Sequence, residues 1–154
     1  MEYYKYFDEC IKETFLSMFD EEISTQKELP ALDWITSKGA AFLIGITGRK
    51  KGRVVMDMSL FTAMYMALKL DAELSEENQA LITLAEALNI LSGYAITKIN
   101  KADHTSDFLL TISSISSGSD SKIHTPNLNM TQLSYDTRFG MIDFYIGLEE
   151  DEQM

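Results

Sequence analysis

The stretch from Leu81 to Ile99 constrains the fold more than any other part of this chain, because its apolar residues hold a helical period throughout. Taking about 100° per residue, Leu81, Leu84, Leu88, Leu91, Ala95 and Ile99 fall on one side. A helix with one such stripe must lay it on another element. The opposite side carries Glu86, Asn89 and Gly93. Ile82 and Ile96 are expected on that outward stripe above and below the polar pair, with Ile90 beside it. Ser75 is the expected N-cap, Glu76 and Glu77 place negative charge in the first turn, and the helix should run to about Lys98.

The flanking segments supply partners for that stripe. Phe7, Ile11, Phe15, Met18 and Phe19 recur at helical spacing and predict a first amphipathic helix over Tyr6 to Phe19. Residues 24–38 hold Pro30 and Trp34 without a period, and read as a connection with one short extended piece. Ala40 to Thr47 and Arg53 to Ser59 are apolar or β-branched runs around Gly48-Arg-Lys-Lys-Gly52, the form of a β-hairpin. A Met- and Ala-rich helix should follow from Ser59 or Leu60 to Lys69. Beyond the long helix, Asp107 to Ile115 reads as a strand, Ser116 to Ser121 as a turn, and Leu128 to Asp136 and Met141 to Leu148 as two more strands. The expected class is α/β, an α+β sandwich of helices on an antiparallel sheet. Helix leads into strands twice, a rough internal duplication.

At 154 residues and 45% hydrophobic content, one domain spanning residues 1–154 is expected, with an acidic tail at 149–154. A formal charge of −11 argues against a nucleic-acid partner, which demands clustered Lys and Arg. The one basic cluster, Arg49-Lys50-Lys51 with Arg53, falls at the hairpin turn. No apolar run approaches the roughly 20 residues of a membrane span, and Met1-Glu-Tyr-Tyr-Lys5 lacks the form of a secretory signal. The single cysteine, Cys10, has no partner for a disulfide or a metal site, so the expected compartment is the reducing cytoplasm.

Glu86 and Asn89 stand one helical turn apart, the sole Glu-x-x-Asn in the chain, and residues at that spacing are neighbours on a helix surface. A carboxylate beside a carboxamide suits the holding of a water molecule better than covalent catalysis. Exposed Glu and Asn also occur on ordinary solvated faces. Yet Asn costs on the order of half a kcal/mol and Gly about 1 kcal/mol relative to Ala in a helix interior, and both penalties fall on this one stripe. His104 and His124 offer a second place for chemistry, although both read as loop residues and neither has metal-ligand spacing to a neighbour.

Glu86-x-x-Asn89 followed by Ile90-Leu-Ser-Gly93-Tyr-Ala95 resembles the signature of the CheX, CheC and FliY group of chemotaxis phosphatases. The early helix, the hairpin around Gly52-Arg-Val-Val55, the Met-rich helix and the closing strands are similar to the CheX arrangement, over about Phe7 to Leu148. With no Asn in its first helix, the chain has one such motif and sits nearer CheX than the two-motif CheC type. Ile82 and Ala85 stand where family members often carry an acidic residue and a glycine.

The resemblance implies hydrolysis of the aspartyl phosphate on a CheY-like response regulator. Asn89 would orient the attacking water and Glu86 would meet the regulator's lysine, with Ile82, Ile90, Gly93 and Ile96 around them as docking residues. The regulator would supply Mg²⁺, and this chain would bind no cofactor. It further implies a homodimer joined through an edge strand of the second half. A non-catalytic module docking a receiver domain or a flagellar-switch protein is the alternative.

Overall fold

The computed structural model describes residues 2–30, 34–104, 107–125 and 128–149. The chain runs through α1 (Tyr4–Phe19), β1 (Thr25–Pro30) and β2 (Trp34–Thr36) into the hairpin β3 (Ala40–Thr47) and β4 (Gly52–Met58). Two helices follow, α2 (Leu60–Leu70) and α3 (Glu77–Ala102). Then come β5 (Leu109–Leu110), β6 (Ser114–Ser117), β7 (Lys122–His124) and the closing hairpin β8 (Leu128–Thr137) and β9 (Gly140–Glu149). The expected architecture of helices on an antiparallel sheet is the one the chain forms.

The main sheet runs in the order β1-β8-β9-β4-β3-β5, with β6 also on β3, and every pair is antiparallel. This order is nearly symmetric about the central β4–β9 pair. Each hairpin contributes its second strand to the centre and is flanked outside by a strand from the other half: β1 on β8, and β5 with β6 on β3. The small ribbon of β2 and β7 likewise takes one strand from each half. The duplication read in the sequence is therefore visible as an approximate two-fold in the strand order.

Alternation along the strands splits the side chains between two layers. Phe42, Ile44, Val54, Met56, Leu133, Tyr135, Phe144 and Ile146 face the helices. Ala41, Val55, Met130 and Tyr145 face the other way and are covered by Ile35 and Ile123 of the ribbon. On α1, Phe7, Cys10, Ile11, Thr14, Phe15 and Phe19 make one buried stripe, and the helix ends at Asp20 in left-handed backbone. At α2, the Ser59 hydroxyl accepts the Thr62 N–H at 3.1 Å, a regular N-cap.

Several local expectations need correction. The connection 24–38 holds two strands, and β1 is hard to read because it is an edge strand whose side chains are almost all exposed. The expected continuous strand 107–115 is broken, since the Thr111 hydroxyl accepts the Gly45 N–H at 2.9 Å in place of a backbone carbonyl. A Cβ on Gly45 would lie 2.8 Å from that oxygen, so the close approach requires glycine. Residues 116 and 117, expected in a turn, belong to β6, and His124, expected in a loop, lies in β7. Glu149 is not tail: its N–H donates to the Lys51 carbonyl at 2.7 Å and its carboxylate accepts the Lys51 N–H. Residues 150–154 lie outside the described residues.

Asp8 ties α1 to the sheet. Its carboxylate accepts from the hydroxyls of Thr25, at 2.7 Å, and Tyr135, and pairs with Lys12 at 3.0 Å. Burial pushes this carboxyl up, but the hydrogen bonds from Tyr135, Thr25 and Lys12 outweigh it and hold the group below its ordinary value. A carboxylate lowered in the folded state stabilises the fold above its unfolded pKa, and that stability is lost as pH falls toward the folded pKa. We expect Asp8→Asn to cost about 1–2 kcal/mol at neutral pH. Denaturant melts at stepped pH should show the variant with a shallower acid limb than the wild type.

Candidate functional site

α3 is the longest element, at 26 residues, and packs on both other helices. Its first turn differs from expectation: Glu76 is the N-cap residue and makes no side-chain cap bond, so Ser75 does not cap it. The inward face is as expected, with Leu81, Leu84, Leu88, Leu91, Ala95 and Ile99 buried beside Ala80, Ala85 and Ser92. By length and composition alone α3 is apolar enough to cross a membrane, yet its apolar face is packed inside the protein.

The outward face presents Glu86 and Asn89, both exposed, with Ile82 and Ile90 at 52% and 46% exposure. Among the described residues neither Glu86 nor Asn89 is engaged by a hydrogen bond or an ion pair. Two threonine hydroxyls bracket them: Thr83 donates to the Gln79 carbonyl at 2.9 Å and Thr97 to the Gly93 carbonyl at 2.8 Å. Their hydroxyls thus stay on their own helix, leaving the carboxylate and carboxamide as the groups turned outward. Gly93 opens the surface further, because a Cβ built there would meet nothing within 4 Å.

Ile96 is not part of this surface. It is 6% exposed and belongs to the core, which overturns its expected place on the outward stripe. Lys98 shows why. Its ammonium reaches Glu9 and Glu13 of α1 at 3.0 and 3.2 Å, so α1 lies on that flank, while on the other the Asn100 carboxamide exchanges two hydrogen bonds with the Phe108 backbone just before β5. Two residues back along a helix is about 160° around the axis, which turns Ile96 away from α1, to the side where Asn100, one turn on, meets Phe108. Tyr94, 61% exposed and absent from the expected set, stands on the side nearer α1. Its aromatic ring at a solvent-facing helix position was the signal for it.

The charge around the pair is one-sided. Lys98 is held by hydrogen bonds to Glu9 and Glu13, which raise its pKa and direct its charge toward α1. The Glu86 carboxylate is left for an incoming cation. What the pair can do is present one anion, one acceptor and two amide donors from a helix whose other face is fixed in the core.

Other ionisable clusters lie far from this face in the fold. His104 is exposed just beyond α3, and His124 stacks on Trp34 at 4.1 Å between ring centroids in the ribbon, so the two histidines share no site. Asp57 and Asp143, not singled out in the sequence, are buried opposite each other in the β4–β9 pair beneath the ribbon. Among the described residues no group of three His, Cys, Asp or Glu side chains is disposed to hold a metal ion.

No curated protein sequence matches the chain. Among solved structures it is similar to the chemotaxis protein CheX from Desulfovibrio desulfuricans, with a TM-score of 0.85 at 17% identity over 97% of this chain and all of that one. A chain of the CheX–CheY–BeF₃–Mg²⁺ complex from Borrelia burgdorferi superposes with a TM-score of 0.83 at 22% identity, covering 97% of this chain and 99% of that one. More distantly, a chain of the FliM–SpeE complex from H. pylori matches with a TM-score of 0.62 at 12% identity, over 96% and 84% of the respective chains. These likenesses show the fold. Residues 40–138, which include the β3–β4 hairpin, α2, all of α3 and the strands through β8, match the family model described as chemotaxis phosphatase CheX, and the chain belongs to that family.

Proposed function

We propose that the protein hydrolyses the aspartyl phosphate of a CheY-like response regulator, with Glu86 and Asn89 as the residues that act on it. The observation that carries this reading is the pair itself: two outward polar heads with no intramolecular partner among the described residues, on a fixed helix of a CheX-family chain. Phosphoryl transfer is catalysed mainly by positioning and charge stabilisation. Asn89 accepts a hydrogen bond from a water through its carbonyl and holds that water in line with phosphorus. As the water oxygen bonds to phosphorus, the bond from phosphorus to the aspartyl oxygen breaks. The carboxylate returns, and inorganic phosphate leaves with the water's proton. Glu86 pairs with the regulator's lysine and sets the register, while Mg²⁺ comes with the regulator. Ile82, Ile90 and Gly93 border the docked surface. The setting is the cytoplasm, in keeping with a buried thiol at Cys10.

A second reading, a docking module without hydrolysis, is favoured by one observation: the fold is also that of a chain in the FliM–SpeE complex. Phosphate release separates the two.

The proposed homodimer joins through the β5–β6 edge. The opposite edge, β1, is blunted by Lys27, Glu28, Pro30 and a register shift between Thr25 and Lys27. Along β5–β6, by contrast, Leu109 and Ile112 are 68% and 93% exposed.

With acetyl-phosphate-charged regulator, we expect wild type to accelerate phosphate release and Asn89→Ala to lower kcat by about 10²-fold with binding retained. Glu86→Lys should weaken binding of the regulator roughly tenfold by like-charge repulsion; unaltered affinity would remove Glu86 from the docked surface. Gly93→Ala should raise stability by about 0.5–1 kcal/mol in thermal melts while impairing docking, a stability gain with an activity loss. For the dimer, Ile112→Lys should shift the molar mass measured by light scattering from two chains to one without loss of helical signal.

A further inference from the structure

Glu86, Ile90, Tyr94 and Lys98 follow one another at steps of four along α3 and so form one ridge on its surface. Each step of four advances about 40° around the axis, which carries the ridge from the polar pair toward α1. There it ends, with the Lys98 ammonium held by Glu9 and Glu13 at 3.0 and 3.2 Å. Ile90 and Tyr94 fill the stretch between, both exposed.

α1 continues the row. Glu9, Glu13 and Leu16 stand at i, i+4 and i+7 on one stripe. The two helices run antiparallel: Lys98 meets Glu9 and Glu13, whereas Phe15 and Phe19, later in α1, share a cavity with Leu84, Ala87 and Leu91, earlier in α3. One turn on from Glu13 is therefore level with one turn back from Lys98. This sets Leu16, exposed as well, beside Tyr94.

Tyr94 is the unusual member of the row. Among the described residues its hydroxyl has no hydrogen-bond partner and its ring no aromatic neighbour. Such rings are enriched where a partner covers the apolar body and leaves the hydroxyl wet.

Area decides whether a partner can ignore this row. From Ile82 to Thr97 the outer face of α3 is about 22 Å long and about 10 Å wide, on the order of 200 Å². A specific protein complex covers about 800 Å² per partner. A partner seated on Glu86 and Asn89 must therefore spread onto a flank. On one side the Asn100 carboxamide is tied to the Phe108 backbone at 3.0 and 3.1 Å, and beyond it lies the β5–β6 edge, given above to a second copy of the chain. The α1 side is open and continuous with Glu86. It is also acidic, since Glu9 and Glu13 share the single ammonium of Lys98, and with Glu86 it suits a partner surface that brings cations.

We infer that the phosphorylated receiver domain docks along this ridge, with Tyr94 of α3 and Leu16 of α1 as the apolar seat that sets affinity while Glu86 and Asn89 act at the phosphoryl group. The inference rests on the phosphatase reading of α3. It requires an apolar patch on the receiver beside its phosphorylated aspartate.

The test is steady-state phosphate release with acetyl-phosphate-charged CheY-like regulator over a concentration series, alongside binding of the BeF₃-activated regulator. The proteins are wild type, Tyr94→Ala, Tyr94→Phe, Tyr94→Ala with Leu16→Ala, and Phe61→Ser, which alters an exposed aromatic of α2 away from the ridge. Circular dichroism and light scattering verify fold and assembly. Tyr94→Ala should raise KM and Kd about tenfold with kcat retained, the double variant should raise them further, and Tyr94→Phe and Phe61→Ser should leave them near wild type. Wild-type KM in Tyr94→Ala and in the double variant overturns the inference. So does a fall in kcat at unchanged KM, which would move Tyr94 into the chemistry, or an equal KM rise in Phe61→Ser, which would take the seat off the α1 side. A Tyr94→Ala protein that turns from dimer to monomer at unchanged KM also overturns it, giving the ring to a second copy of the chain. A wild type that neither hydrolyses nor binds overturns the phosphatase reading with it, whereas an active wild type beside indifferent Tyr94 and Leu16 variants overturns this inference alone.

Discussion

The pairing of β4 with β9 is the interaction on which the rest depends. Six residue pairs, from Gly52 with Leu148 to Asp57 with Asp143, join two hairpins that each lack a partner on that side. Neither half closes by itself, because β1 of the first half edges the second hairpin and β5 with β6 edge the first. The join has a polar centre. Burial pushes the Asp57 carboxyl up, against the Ser37 hydroxyl at 2.7 Å and the Lys38 N–H at 3.0 Å, which favour its charged form. Asp143 accepts from Ser134 and meets the Lys38 ammonium at 2.6 Å. Two carboxylates held this way demand the partners they have, since removing one leaves a buried charge uncompensated. That demand fixes the register between the halves.

With the sheet so fixed, the helices divide their work. α1 spends its inner face on aromatic packing and its outer acids on Lys98, so it anchors α3 from the side. α3 spends one face on the core and keeps the other clear. The polar pair needs no support from neighbours beyond a helix that does not move, and ten buried residues of α3 provide that.

How much of this was legible follows from which signals are local. The inward stripe of α3, the hairpin around Gly48 to Gly52 and the closing strands are periodic in the sequence and appear where expected. The outward place of Glu86 and Asn89 follows from the same period. Ile96 misled because angular position alone does not reveal that the chain returning past Phe108 meets one flank of α3. β1 and the break in β5–β6 were hidden for a related reason: an exposed edge strand has no alternation to read, and the bond from Gly45 to Thr111 spans 66 residues. The facing of Asp57 and Asp143 was equally remote, since only the register of β4 on β9 brings them together.

Trp34 is the single tryptophan of the chain, half exposed on β2 and stacked flat on the ring of His124. The ribbon it belongs to lies on the sheet face that the helices do not touch. The intrinsic indole emission of this protein is therefore a reporter of one place, the seam where a strand from each half meets beneath solvent. Opening of that seam changes the emission. Events on the helical face leave it alone, so in a mixture with another protein, an emission change during docking belongs to the other protein's fluorophores.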